Sequence, residues 1–102
     1  MTAHTVWLLD AARSAVLPLD PRTGRVAGAP VPVPAHPVAI AADDRAVWVV
    51  SAGANVATRI DPRSGRPAQT EGVPAGPTSV TVVKGSAWVA AAAGRLTHLP
   101  LR

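Results

Sequence analysis

Residues 46–66 read AVWVVSAGANVATRIDPRSGR. AVWVVS (46–51) is β-branched and aromatic, the composition of a strand. AGAN (52–55) is a Gly/Asn turn, and VATRI (56–60) alternates apolar with polar, as a half-buried strand does. DPRSG (61–65) satisfies a tight turn position by position. Asp61 accepts backbone hydrogen bonds where the turn starts, and Pro62 presets φ. Ser64 bonds locally, and Gly65 supplies the left-handed residue. A type I turn followed by a glycine bulge is expected. Upstream, PVAIA (37–41) is a short apolar run, and the polar turn ADDR (42–45) joins it to AVWVVS. Downstream, RPAQTEGV (66–73) is a polar strand whose proline suits a sheet edge. PAGP (74–77) then leads to the next apolar run. This unit holds four short strands, and their polarity rises from first to last.

The unit recurs. IDPRSGR (60–66) echoes LDPRTGR (19–25), and GPTSVTVVK (76–84) echoes HPVAIAADD (36–44). Trp7, Trp48 and Trp88 stand 41 and 40 positions apart, in VWLL, VWVV and AWVA. Four strands in a period of about 40–45 residues read as a β-propeller blade, a radial sheet whose first strand faces the axis and whose last faces solvent. Leucine-rich repeats are shorter, about 20–29 residues. Helical repeats are excluded by 11 prolines spread along the chain. A β-sandwich would not force the echo. The expected fold is all-β, with propeller-type blades of four antiparallel strands repeating about every 41 residues. A partial blade spans 1–35, a full blade 36–75 and a partial blade 76–102, all in one domain. Closed propellers need about four to eight blades. The arc is therefore expected to be completed by the rest of a larger propeller or by copies of itself in a ring, with a monomeric open stack of sheets as the third alternative.

Composition narrows the function classes. Of 102 residues, 48% are hydrophobic, with three Trp and neither Phe nor Tyr, so Val, Ala and Leu must fill the core. The net charge of +4 comes mainly from arginine. Arg22, Arg25, Arg63 and Arg66 flank the two Asp-Pro turns, where solvated charges are the default reading; repetition around a ring would make them a modest positive collar, which a partner with an acidic surface could use. Without a basic run or interleaved aromatics, nucleic-acid binding is not expected. The absence of cysteine removes disulfides and thiolate metal sites. No uninterrupted apolar run is long enough to span a membrane. The opening MTAHTVWLLD lacks the basic region of a signal peptide, and the compartment is left undetermined.

The pattern AVWVVS-x-G-x-N with RIDP-x-SGR, followed by PAGPTSV, resembles the YVTN-type β-propeller repeats. It is similar also to the virginiamycin B lyase-like group and, more loosely, to NHL propellers. The resemblance covers nearly the whole chain. It implies the fold, and it implies stand-alone binding proteins or sensor domains, with enzymes a minority. The lyase group is implied to use a metal held by His and Glu. Here the only Glu is Glu71, and His4, His36 and His98 occupy three different repeat positions. No ligand set carries over, so no metal, cofactor or catalytic residue is expected. The chain departs from the pattern where an Asn usually follows the second strand: Asp10, Ser51 and Ala91 stand there. The third repeat also ends THLPLR, without the Asp-Pro turn.

The function expected is a non-catalytic binding or scaffold module, with a small ligand or protein partner over one loop face. That face is built from the outer-to-inner connections and the turns between second and third strands. Asp10, Arg13, His36, Ser51 and Asn55 fall there, although His36 before Pro37 also suits a connection, and Ser51 and Asn55 are turn formers. Trp7, Trp48, Trp88, Asp20, Gly24, Asp61 and Gly65 read as structural, packing the blades and closing the hairpins. The alternative is a subunit or fragment of a propeller enzyme of lyase or lactonase type, which needs a convergent polar cluster. A purely structural element is a third possibility.

Overall fold

AVWVVS forms the centre of the molecule. In the computed structural model, which describes residues 6–43, 45–61 and 64–100, Ala46 to Ser51 are all 0% exposed. The strand within it, β5 (Val47–Ser51), lies inside a four-stranded antiparallel sheet of order β4-β5-β6-β7. Its neighbours are β4 (Pro37–Ala42), β6 (Val56–Asp61) and β7 (Arg66–Gly72). A three-stranded sheet, β1 (Val6–Asp10), β2 (Ala15–Leu19) and β3 (Val31–Pro32), covers one face. A second three-stranded sheet, β8 (Pro77–Val83), β9 (Ser86–Ala91) and β10 (Arg95–Leu99), covers the other. The fold is all-β. The only helical element among the described residues is one 3₁₀ turn, Ala92–Gly94.

Alternation along β5 assigns its side chains to two cores. Val47 and Val49 join Ile60 against Val16 and Val31 of the first sheet. Trp48 and Val50 join Ala46 and Ala57 against Ala87, Val89 and Leu99 of the third. A strand covered on both faces must be apolar at every position, hence the unbroken run. Each large side chain so buried contributes about 1.5–3 kcal/mol.

Burial does not fall steadily from first strand to last. β4 is an edge strand, with Val38 46% exposed, and burial peaks one strand further in. An interior strand has neighbours on four sides, whereas an edge strand lacks one of them. The first sheet also carries a stunted third strand: β3 is two residues long, reached through a single bridge between Leu19 and Val26. Pro30, Pro32 and Pro34 withhold the backbone donors that a longer ladder needs.

The sheets share one ladder. Trp7 stands opposite Pro18, Trp48 opposite Arg59 and Trp88 opposite His98. Register shifts fall between Pro37 and Ala39 and between Pro77 and Ser79, at the same place in β4 and β8. In the first Asp-Pro turn, the Asp20 carbonyl accepts from Thr23 N (3.3 Å) and Gly24 N (2.7 Å), and Asp20 N donates to Arg25 O (2.8 Å). Four residues therefore loop between Asp20 and Arg25, one more than a three-residue glycine-bulge turn holds. The second turn repeats the tightest of these contacts, with Gly65 N donating to Asp61 O at 2.8 Å. Thr23 Oγ1 accepts from Arg25 N as Ser64 Oγ accepts from Arg66 N. Gly24 (φ 71°) and Gly65 (φ 70°) both have open space around them, so backbone conformation is what selects glycine there. Pro62 and Arg63 lie outside the described residues.

Candidate functional site

The connections β3–β4 and β7–β8 and the turns β1–β2, β5–β6 and β9–β10 gather at one end of the sheets. Asp10, Arg13, His36 and Asn55 lie there. Asp10 Oδ1 accepts from Arg13 N at 3.2 Å, and its other oxygen lies 3.7 Å from Arg13 Nε. The Arg13 side chain is 79% exposed, so this pair mainly shapes the turn. His36 is exposed and adopts φ 57°, and Gly76 takes φ 75° at the matching position before Pro77. His36 O accepts from Ala52 N at 2.9 Å, and Gly76 O accepts from Ala92 N at 2.8 Å. A Cβ on Gly53 would fall 2.7 Å from Ala35 O, so this close crossing requires glycine. Asn55 (φ 52°) accepts from Val73 N through its carbonyl at 2.9 Å and from Gly76 N through its side chain at 3.4 Å. Ser14 (φ 51°) accepts likewise from Val33 N at 2.9 Å. These residues hold backbone crossings in place, and the side chains left facing solvent are Arg13 and His36.

Ser51 is not on that surface. It is 0% exposed, on the face of β5 turned toward the first sheet, and Thr58 lies on the same face at 2%. Ser51 Oγ and Thr58 Oγ1 are both buried with no hydrogen-bond partner among the described residues. Burying such a hydroxyl costs about 1–3 kcal/mol.

The opposite end holds the β2–β3, β4–β5, β6–β7 and β8–β9 turns. Arg22, Arg25, Arg45, Arg66 and Lys84 are exposed there, a positive rim around Asp20, Asp43 and Asp61. Sequence reasoning missed a clamp at this end. Gly85 N donates to Asp43 Oδ2 at 2.7 Å, and Gly85 O accepts from Trp48 Nε1 at 2.8 Å. Two side chains from the middle sheet and its β4–β5 turn thus grip both backbone groups of one residue in the β8–β9 turn, where Lys84 (φ 49°) and Gly85 (φ 81°) form a type I′-like corner. Asp43 Oδ1 also accepts from Arg45 N (2.9 Å) and Ala46 N (3.1 Å). Partial burial pushes the Asp43 carboxyl up. The backbone donors of Arg45, Gly85 and Ala46, with the Arg45 charge, outweigh that and hold it below its usual 3.8. No sequence signal separates this aspartate from an ordinary turn former.

Among the described residues, no sheet covers two faces of the stack. Val6 (47%) and Leu8 (48%) are exposed on the far side of the first sheet. Val83 (52%), Trp88 (41%) and Leu96 (65%) are exposed on the far side of the third. Trp88 stacks on His98, with centroids 4.3 Å apart and planes at 23°. Among the described residues, Trp48 and half-buried Trp7 pack between sheets, and Trp88 has no sheet over it.

The metal chemistry implied by the lyase-like resemblance does not fit. Glu71 is in an outer strand, His36 at a connection and His98 on an end face, while His4 lies outside the described residues. Among the described residues, no group of three or more His, Cys, Asp or Glu could hold a metal ion. No described helix is long and apolar enough to cross a membrane.

No protein-family model matches the chain, and no curated protein matches it. Among solved structures it is similar to hydrazine synthase of Kuenenia stuttgartiensis, with a TM-score of 0.79 and 24% identity. The match covers 87% of this chain and 26% of that one, so the chain spans about a quarter of the length of this neighbour. At that identity the likeness concerns the fold.

Proposed function

We propose that the chain is a non-catalytic binding and scaffold module built of β-propeller-type blades, akin to YVTN-type and virginiamycin B lyase-like repeats. The observation that carries this reading is the reuse of one packing face. The surface that the middle sheet buries completely at Val47 and Val49 is presented, exposed, by the first sheet at Val6 and Leu8. The surface it buries at Trp48 is presented, exposed, by the third sheet at Trp88. A unit with two open apolar faces is suited to adding further blades, either those of a larger propeller or its own copies. The ligand or partner belongs over the connection end, where Arg13 projects from a turn capped by Asp10 and His36 from a connection held by the Ala52 and Gly53 amides. The structural neighbour carries an enzyme's name, but only the fold is shared at that identity. The test combines ligand binding with turnover. Resonance shifts confined to residues 10–14, 35–36 and 52–55, with the ligand recovered unchanged, support the module. Chelator-sensitive turnover of a lactone or a lyase substrate overturns it.

A further inference from the structure

We infer that a second copy of this chain stacks head to tail on the first, seating Val6, Leu8 and Leu19 of one copy over Trp88 and Leu96 of the other. The inference rests on the scaffold reading above and names its partner. The chain itself shows what covers such a face, because Trp48 is covered within the molecule by Ala87, Val89 and Leu99 of the next sheet. The first sheet holds apolar residues at those same ladder positions. Ala87 pairs with Leu99 as Val6 pairs with Leu19, and Val89 lies two residues beyond Ala87 as Leu8 lies two beyond Val6. The covered side matches too. The pair Val50–Ala57 flanks Trp48, and Ala90–Leu96 flanks Trp88, so large and small have changed places and the face stays apolar. Each end face is thus one half of an interface that the chain already makes internally. The two halves differ, so the contact is heterologous and can propagate into a ring or an open stack.

Mixing two blocked variants tests this. Leu8 (48% exposed) and Leu96 (65% exposed) can be charged with little effect on the fold. Light scattering should show wild type above monomer mass, with Leu8→Lys and Leu96→Lys each monomeric. Their equimolar mixture should then form a dimer of twice the monomer mass, because each variant retains the face the other lacks. Circular dichroism checks the fold, and Val6→Lys with Val83→Lys serves as a second pair if either first variant unfolds. Monomeric wild type at high concentration overturns the inference and leaves the face to a different occupant. Self-association of Leu8→Lys alone or Leu96→Lys alone also overturns it, since either result means like faces pair. A chelator-controlled turnover assay on a lactone, run on the wild type beside the mass measurement, separates the two readings. Monomeric wild type without turnover sinks this inference only, and chelator-sensitive turnover by a wild type that stacks sinks the non-catalytic reading while the stacking contact stands.

Discussion

Trp48 and Trp88 are the same residue at the same ladder position, yet one is 0% and the other 41% exposed. Trp48 has a sheet over it, a 2.8 Å hydrogen bond to Gly85 O, and a neighbouring carboxylate anchoring the same residue. Trp88 has His98 stacked on it and no further sheet among the described residues. A tryptophan's contribution is set by what faces it, so one motif stabilises strongly in the middle of the stack and weakly at its end. Local sequence does not separate the two.

Substitutions can break or sharpen this contrast. The largest effect is expected from Trp48→Ala, which removes the centre of one core and costs about 3–5 kcal/mol, enough to unfold a small domain. Trp88→Ala in monomeric protein should cost under about 1 kcal/mol, losing mainly its stack on His98. Denaturant melts of both measure the difference, and equal losses would mean that Trp88 is covered.

Next comes the clamp. Asp43→Ala should cost about 1–3 kcal/mol by leaving the Gly85 and Ala46 amides without their carboxylate. The Asp43 carboxyl is held below its usual 3.8, so its contribution is present above that value and lost as pH falls through the folded-state value. The melting-temperature gap between wild type and Asp43→Asn should therefore narrow between about pH 6 and about pH 3. A gap that stays constant would show that the charge contributes nothing.

Smaller still is the effect of Gly65→Ala. The site has room for a methyl group but sits at φ 70°, so a loss of about 1 kcal/mol is expected, all of it conformational. The smallest effect has the opposite sign. Thr58→Val replaces a buried, unpartnered hydroxyl with a methyl group of the same shape and should be neutral or stabilise by up to about 1 kcal/mol. Destabilisation would point to a bound water at Thr58 Oγ1.

The strands were legible because their signals are local: alternation at VATRI, the unbroken run at AVWVVS, and Asp, Pro and Gly where turns need them. The candidate site was legible only in outline. Turn chemistry places Asp10, Arg13, His36 and Asn55 at one end, but it cannot say which side chains are occupied by backbone groups from another connection. Ser51 was misplaced because a residue ending a strand reads as a turn former, and its burial depends on a sheet some thirty residues earlier in the chain. The Asp43–Gly85–Trp48 clamp was invisible because it joins residues about forty positions apart through the backbone of one residue, and backbone partners carry no sequence signature.

By itself, then, the sequence determined the strand order, the hairpin turns and the recurring tryptophan, since these depend on residues close together in the chain. Only the tertiary structure decided which copy of each face is buried. Burial belongs to the pair of surfaces that meet, and in this chain Val47 and Trp48 meet theirs while Leu8 and Trp88 do not.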